Sequence, residues 1–385
     1  MSIRRLIPVV AGLAVVLAGC TGPGAPKAVP LLRPAWQSTV LPAPPGDADR
    51  TMVRDAVTCA GRWYAVGGVA DAAGRSGPAA WASPDGREWT VLATVPSSFH
   101  GRRHVLYAVA CRDGRLVALG AASGGAHGNP RTATWSQGSD GVLREVAAPV
   151  GLYGGERAVS VSRLAAGPGG WLLVGNRVAG AAVWTAPDGE HFTLHEGLPE
   201  LASDGRGRTL AYDAVAVPSG WLAVGVVLAA GVSPVAWTSP DARVWRRLAL
   251  PGADGRGQAQ RVTRTSGGAV LVVGPVSGGF GVWRWAGAEG RWVGSFGGGG
   301  AVAPSVRSLA ASGDRVVAAT ADAGGHRLWF SPDAGDSWRF VMLPVEVPSG
   351  GDGGLAVAVQ EDQLVMLTDP GNGSRAWWGA LPAGS

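Results

Sequence analysis

Lysine is almost missing from this chain. Lys27 is the only one in 385 residues, so the basic character rests on arginine. Charge of any kind is scarce, at 16% against roughly 25% in an ordinary soluble domain. The formal net charge of +5 falls to +3 without Arg4 and Arg5. So small and dispersed a balance argues against a nucleic-acid partner. Breaker-free stretches are lacking too: 62 Gly and 27 Pro interrupt the chain every four to five residues on average. Helices average about 11–12 residues, so a helix bundle and a doubly wound α/β fold are both excluded. Low charge and much glycine suit a disordered chain, but 46% hydrophobic residues and 17 Trp do not. An all-β protein of short strands and tight turns remains, large enough for a substantial core.

The N-terminus reads as an export signal. Arg4 and Arg5 precede an apolar run at residues 6–17, twelve residues where a membrane span needs about 20. The run ends in Leu17-Ala18-Gly19-Cys20. This resembles a bacterial lipobox, and the resemblance implies removal of residues 1–19 and lipidation of Cys20. The mature protein is then expected on the outer face of the bacterial cell membrane. Residues 20–34, rich in Pro and Gly, read as a tether. Export permits a disulfide. Cys59 and Cys111 are the candidates, in the matching segments "AVTCAGR" and "AVACRDGR"; two separate small buried residues are the alternative.

From residue 50 onward one pattern returns seven times. Second strands such as "RWYAVGG", "GWLLVGN" and "DQLVMLT" are each followed by a third strand centred on Trp81, Trp135, Trp184, Trp237, Trp283, Trp329 or Trp377. These tryptophans lie 46–54 residues apart, matching four-stranded propeller blades. Alternation in strands such as "WLLVG" suits one face packed on a neighbouring blade. The seventh repeat stops after its third strand, while residues 35–45 look like a fourth strand. The expected fold is a seven-bladed β-propeller spanning 35–385 as one monomeric domain, its last blade closed by the N-terminal strand.

The turns after the third strands carry the most specific motif. "SPDAGDSW" at 331–338 fits Ser-x-Asp-x-Gly-x-x-Trp, and "SPDGREW" (83–89), "APDGEHF" (186–192) and "SPDARVW" (239–245) are near copies. This resembles the Asp-box repeat of bacterial neuraminidases, found in sialidases and in many non-enzymatic propellers. Asp85, Asp188, Asp241 and Asp333 are expected to accept backbone N–H bonds within their own turns, with Gly supplying positive φ. They are read as structural carboxylates.

The sialidase resemblance implies further features: an Arg triad for the sugar carboxylate, a Tyr nucleophile with a Glu base, an Asp acid/base, and an early Arg-Ile-Pro motif. Arg-Ile-Pro is absent, and only four Tyr are present. Tyr64 falls in a second strand, Tyr153 in a loop, and Tyr107 and Tyr212 in first strands. Alignment of the repeats puts Arg54, Arg261 and Arg307 at matching first-strand positions, with Tyr212 equivalent in blade four. Asp55 and Asp213 stand beside them. First strands line a propeller's channel, so these groups are placed to converge at its mouth. Arg103, Arg157 and Arg208 extend the arginine enrichment along that rim. The alternative is surface ion pairs of about 0–1 kcal/mol each.

Other chemistry finds little footing. His191 and His195 have no third ligand, so no metal is expected. The "GGGG" at 297–300 lacks the context of a phosphate cradle, and no cofactor is implied. Two functions remain: an anchored binding protein gripping an envelope protein or glycan through Arg54, Arg103, Arg157, Arg208, Arg261 and Arg307, or a sialidase-like exo-glycosidase using Tyr212, Asp55 and Asp213. The loops at 96–104, 198–210 and 250–262 carry the variation expected of a binding face.

Overall fold

The computed structural model describes residues 31–125, 128–252, 256–287, 289–298 and 304–382. The signal sequence, Cys20 and most of the tether lie outside the described residues, as do 253–255 and 299–303 within candidate loops. Seven sheets, each built on four antiparallel strands, stand in a ring, and two of them carry a short fifth strand in parallel at the outer edge. Blade one runs Arg50–Cys59, Arg62–Ala70, Ser76–Ser83 and Thr90–Leu92. The first strand of each blade contacts the first strands of both neighbours, so all seven surround a central channel. Among the described residues, no helix is long and apolar enough to cross a membrane.

The expected closure is present. Gln37–Val40 pairs antiparallel with Arg375–Ala380 as the outer strand of blade seven. The body begins earlier than residue 35, because Leu31–Leu32 adds a parallel outer strand to Arg339–Val341 of blade six. The Trp36 indole then donates to the Met342 carbonyl at 2.9 Å. These bonds tie the N-terminal segment to two blades and turn the chain ends into a seam.

Each third-strand tryptophan fills an inter-blade space, and Trp81, Trp135, Trp184, Trp237 and Trp283 are fully buried. A buried indole N–H requires an acceptor. Four of these five donate to carbonyls of the preceding inter-blade connection, at Pro42, Leu152, Glu200 and Pro251. Trp135 uses His104 Nδ1 instead, at 3.2 Å. The strand "WLLVG" is buried on both faces, beyond the one face its alternation predicts: Leu172 and Val174 pack towards blade four, while Trp171 and Leu173 pack towards blade two. A strand between two blades has no solvated side.

The motif turns show the local reason for their spacing. Asp85 Oδ1 accepts the Arg87 and Glu88 N–H groups, and the Trp89 indole closes the turn onto the Gly86 carbonyl. Asp188 and Asp241 repeat the pattern. Asp333 accepts from the Ser337 N–H at 2.8 Å. Gly86 and Gly189 hold φ of 74° and 73°, and Ala242 is forced to 61° at the same position. Cys59 and Cys111, at the turn-face ends of adjacent inner strands, form a disulfide with a Cα–Cα distance of 5.6 Å.

Candidate binding site at the central channel

Every seam between blades is fastened near the channel by a side chain bonded to the next blade's backbone. From blade one to two, Asp55 Oδ2 accepts the Val109 N–H at 3.0 Å. Tyr107 donates to the Val161 carbonyl, and Ser162 to that of Ala211. Asp213 Oδ2 accepts the Val262 N–H at 3.1 Å, Gln260 Oε1 that of Val306, and Ser308 Oγ that of Val357. At the closing seam Ser374 Oγ accepts the Val53 N–H, and Arg54 pairs with Asp369 at 3.0 Å. Five of the bonding residues, Asp55, Tyr107, Ser162, Asp213 and Ser308, sit at or beside β-bulges; the inner strands of blades one, two, three, four and six are shifted between residues 53/55, 106/108, 161/163, 211/213 and 306/308. A bulge re-aims one side chain without moving the strand, and here it is turned on the neighbouring blade.

This pattern reassigns the candidate residues. Asp55 and Asp213 each accept a backbone N–H of the adjacent blade, which gives them a structural task. Tyr212 occupies a bulge, but among the described residues its hydroxyl makes no hydrogen bond, and burial raises its pKa. That direction is wrong for a nucleophile. Tyr153 closes the short helix Val150–Tyr153 and is buried against Thr134, so it is no loop residue. His191 caps Asp188, and His195 meets Thr185 Oγ1.

The six arginines do not form one cluster. Arg54 is held by Asp369, Arg157 pairs with Glu196 at 3.4 Å, and Arg103 lies over the Phe99 ring at 4.6 Å. Arg208 is exposed without a side-chain partner. Arg261 and Arg307 do come together: Arg261 Nε donates to the Arg307 carbonyl at 3.3 Å. They are not equivalent, however. Gln260 takes the bulge position in blade five, setting Arg261 one residue deeper, level with Asp55 and Asp213. The offset arises because blade five's paired inner strand is short, Arg261–Arg264, and its preceding residues bond as an irregular segment.

Arg163, absent from the sequence-based candidates, completes the layer. Its Nη1 reaches Asp55 Oδ2 at 2.5 Å, and its Nη2 crosses the channel to the Arg307 carbonyl at 3.0 Å. The available signal was a lone charge within the apolar inner strand Ala158–Gly167. Arg163 is 15% exposed and Asp55 7%, making this a largely buried pair. Beyond the layer, on the loop face, a cleft of about 680 Å³ runs between blades five and six. Arg256, Arg307 and Arg327 edge it, Phe280 and Trp329 form apolar wall, and Asp322 neutralises Arg327 at 3.1 Å. Among the described residues Arg307 and Arg256 make no ion pair, so two of the three arginines edging the cleft are not neutralised there.

Comparisons with known proteins bear on the fold. It is a seven-bladed β-propeller. A solved structure described as YCF48 bound to D1 peptide is similar over 93% of this chain and 99% of its own, with a TM-score of 0.54 and 15% identity. YCF48 from Cyanidioschyzon merolae matches 90% of this chain and 98% of its own at 0.52 and 12%. A puromycin hydrolase mutant matches 82% of this chain and half of its own at 0.51 and 14%. No family model and no curated protein matches the sequence.

Proposed function

We propose that this protein is a lipid-anchored, extracytoplasmic propeller that binds an acidic protein or glycan through its loop face and catalyses no reaction. The observation that carries this reading is the unneutralised Arg307 and Arg256 on a cleft with apolar walls. Arg256 and Arg307 are exposed, and guanidinium groups free of a counter-charge beside aromatic rings favour carboxylate partners. The asymmetry of the two faces supports it as well, because the opposite face is built of self-satisfied Asp turns. A propeller of the same fold is described as bound to a peptide, so the architecture is compatible with such a partner. Export and acylation at Cys20 rest on the N-terminal sequence alone, and monomeric action on the closed ring.

Fluorescence anisotropy with the full-length protein tests the binding role, using a Glu-rich peptide and an oligogalacturonate as probes. One probe is expected to bind with an affinity that falls as salt rises. The double substitution Arg256→Ala/Arg307→Ala is expected to weaken it by roughly tenfold or more. No binding of either probe, or binding indifferent to the substitutions, overturns the proposal. Loss of membrane association in Cys20→Ala checks the anchor. The exo-glycosidase reading is less well supported, given the occupied carboxylates and the unactivated Tyr212. Turnover of a fluorogenic sialoside that Tyr212→Phe abolishes would restore it.

A further inference from the structure

Inside the channel two opposite charges, Asp213 and Arg261, are hydrogen-bonded to backbone but form no ion pair among the described residues. Asp213 is 8% exposed and forms no ion pair. Its Oδ1 and Oδ2 accept only the Ala214 and Val262 N–H groups, at 2.9 and 3.1 Å. Arg261 gives Nε and Nη1 to the carbonyls of Arg307 and Gln260, while its Nη2 makes no hydrogen bond. Each lies within the other's field, and Arg163 and Asp55 contribute to it, yet no direct pair forms between Asp213 and Arg261. Burial disfavours both charges, raising the Asp213 pKa and lowering that of Arg261. Arg163 cannot answer Asp213, being committed to Asp55 and the Arg307 carbonyl.

All four groups line one cavity of about 240 Å³, which continues along the inner strands towards the turn face. Thr58 and Thr263 also line it, and neither hydroxyl makes a hydrogen bond among the described residues. Asp213 is buried and Arg261 half-buried; a charge so placed without a bonded counter-charge is costly unless something else answers it, and such groups concentrate at sites of function. A simple anion would satisfy Arg261 and leave Asp213 worse placed beside it. A simple cation would do the reverse. A molecule bearing both charges a few ångströms apart answers both.

We propose that this cavity binds a small zwitterion of the α-amino-acid class, its carboxylate on Arg261 Nη2 and its ammonium on Asp213, with the Thr58 and Thr263 hydroxyls as further partners. The site is on the opposite side of the charged layer from the loop-face cleft, so it is independent of the function proposed above. Isothermal titration calorimetry on the full-length protein tests it with three probes: L-alanine, propionate and ethylammonium. L-Alanine is expected to bind saturably at one site, and each singly charged probe roughly tenfold or more weakly. Arg261→Gln and Asp213→Asn are each expected to weaken L-alanine by a similar factor. Asn retains an acceptor oxygen for the seam. The three-probe comparison on the unaltered protein needs no variant to fold. Absence of saturable L-alanine binding, or propionate binding as tightly as L-alanine, overturns the proposal.

Discussion

The Asp55–Arg163 pair offers the sharpest test of the channel layer. Asp55→Ala removes the counter-charge of Arg163 and the acceptor of the Val109 N–H together. Removing one partner of a buried pair costs about 3–5 kcal/mol. Arg163 retains 15% exposure, which places the expected loss near the bottom of that range, about 3 kcal/mol. Asp55→Asn keeps an oxygen for Val109, so about 1 kcal/mol of that loss is avoided. Arg163→Met strands the Asp55 charge but leaves its backbone bond, for a loss of about 2–3 kcal/mol. The double variant Asp55→Asn/Arg163→Met has no stranded charge. Its loss is expected to fall short of the summed single losses by about 2 kcal/mol. Urea unfolding followed by tryptophan fluorescence measures all four proteins. A coupling below about 0.5 kcal/mol would refute the reasoning, because the pair would then behave like an exposed surface bridge.

Three other outcomes follow from the geometry. Cys59→Ser/Cys111→Ser opens a loop of 52 residues and should cost about 4 kcal/mol on the chain-entropy estimate, read as a drop in urea midpoint that reductant reproduces in the parent. His104 is buried, accepts from the Trp135 indole, and has its pKa lowered to about 4 by burial. Its folded pKa lies below the unfolded value, so the unfolded chain takes up the proton first. Stability should therefore fall by about 3 kcal/mol from pH ~6.5 down to ~4, and His104→Gln should flatten that part of the pH profile. Asp333→Ala removes the acceptor of the Ser337 N–H and should cost about 1–3 kcal/mol, with Asp333→Asn milder in the same thermal melt.

Much of the architecture was legible because it repeats. A tryptophan at blade spacing and an Asp-centred turn are local signals, and seven such tryptophans with four clear turns make weak propensities into a blade count. The disulfide was legible for the same reason, since matching places in consecutive repeats become neighbours in space. The channel was not, because its chemistry depends on single-residue offsets that repeats do not encode. A bulge at Arg54 or Arg307, and an irregular segment before Arg261, decide which side chain faces the next blade and which faces the void. Asp55 and Asp213 accordingly read as acids beside a sugar site, when their oxygens are held by Val109 and Val262. Arg163 escaped notice because its partners, Asp55 and the Arg307 carbonyl, lie on blades one and six, far off in sequence.

The attachment of the N-terminal segment has a mechanical consequence. Leu31–Leu32 lies parallel to Arg339–Val341, and Gln37–Val40 then completes blade seven. Under the anchoring proposed above, any drag on the propeller reaches it through residue 31. Tension there loads the two-residue pairing of Leu31–Leu32 with blade six first. The Trp36 indole bond to blade six takes up the strain next, before it reaches the strand that closes the ring. The chain thus meets a pulling force at blade six, one blade away from the seam whose opening would unravel the fold.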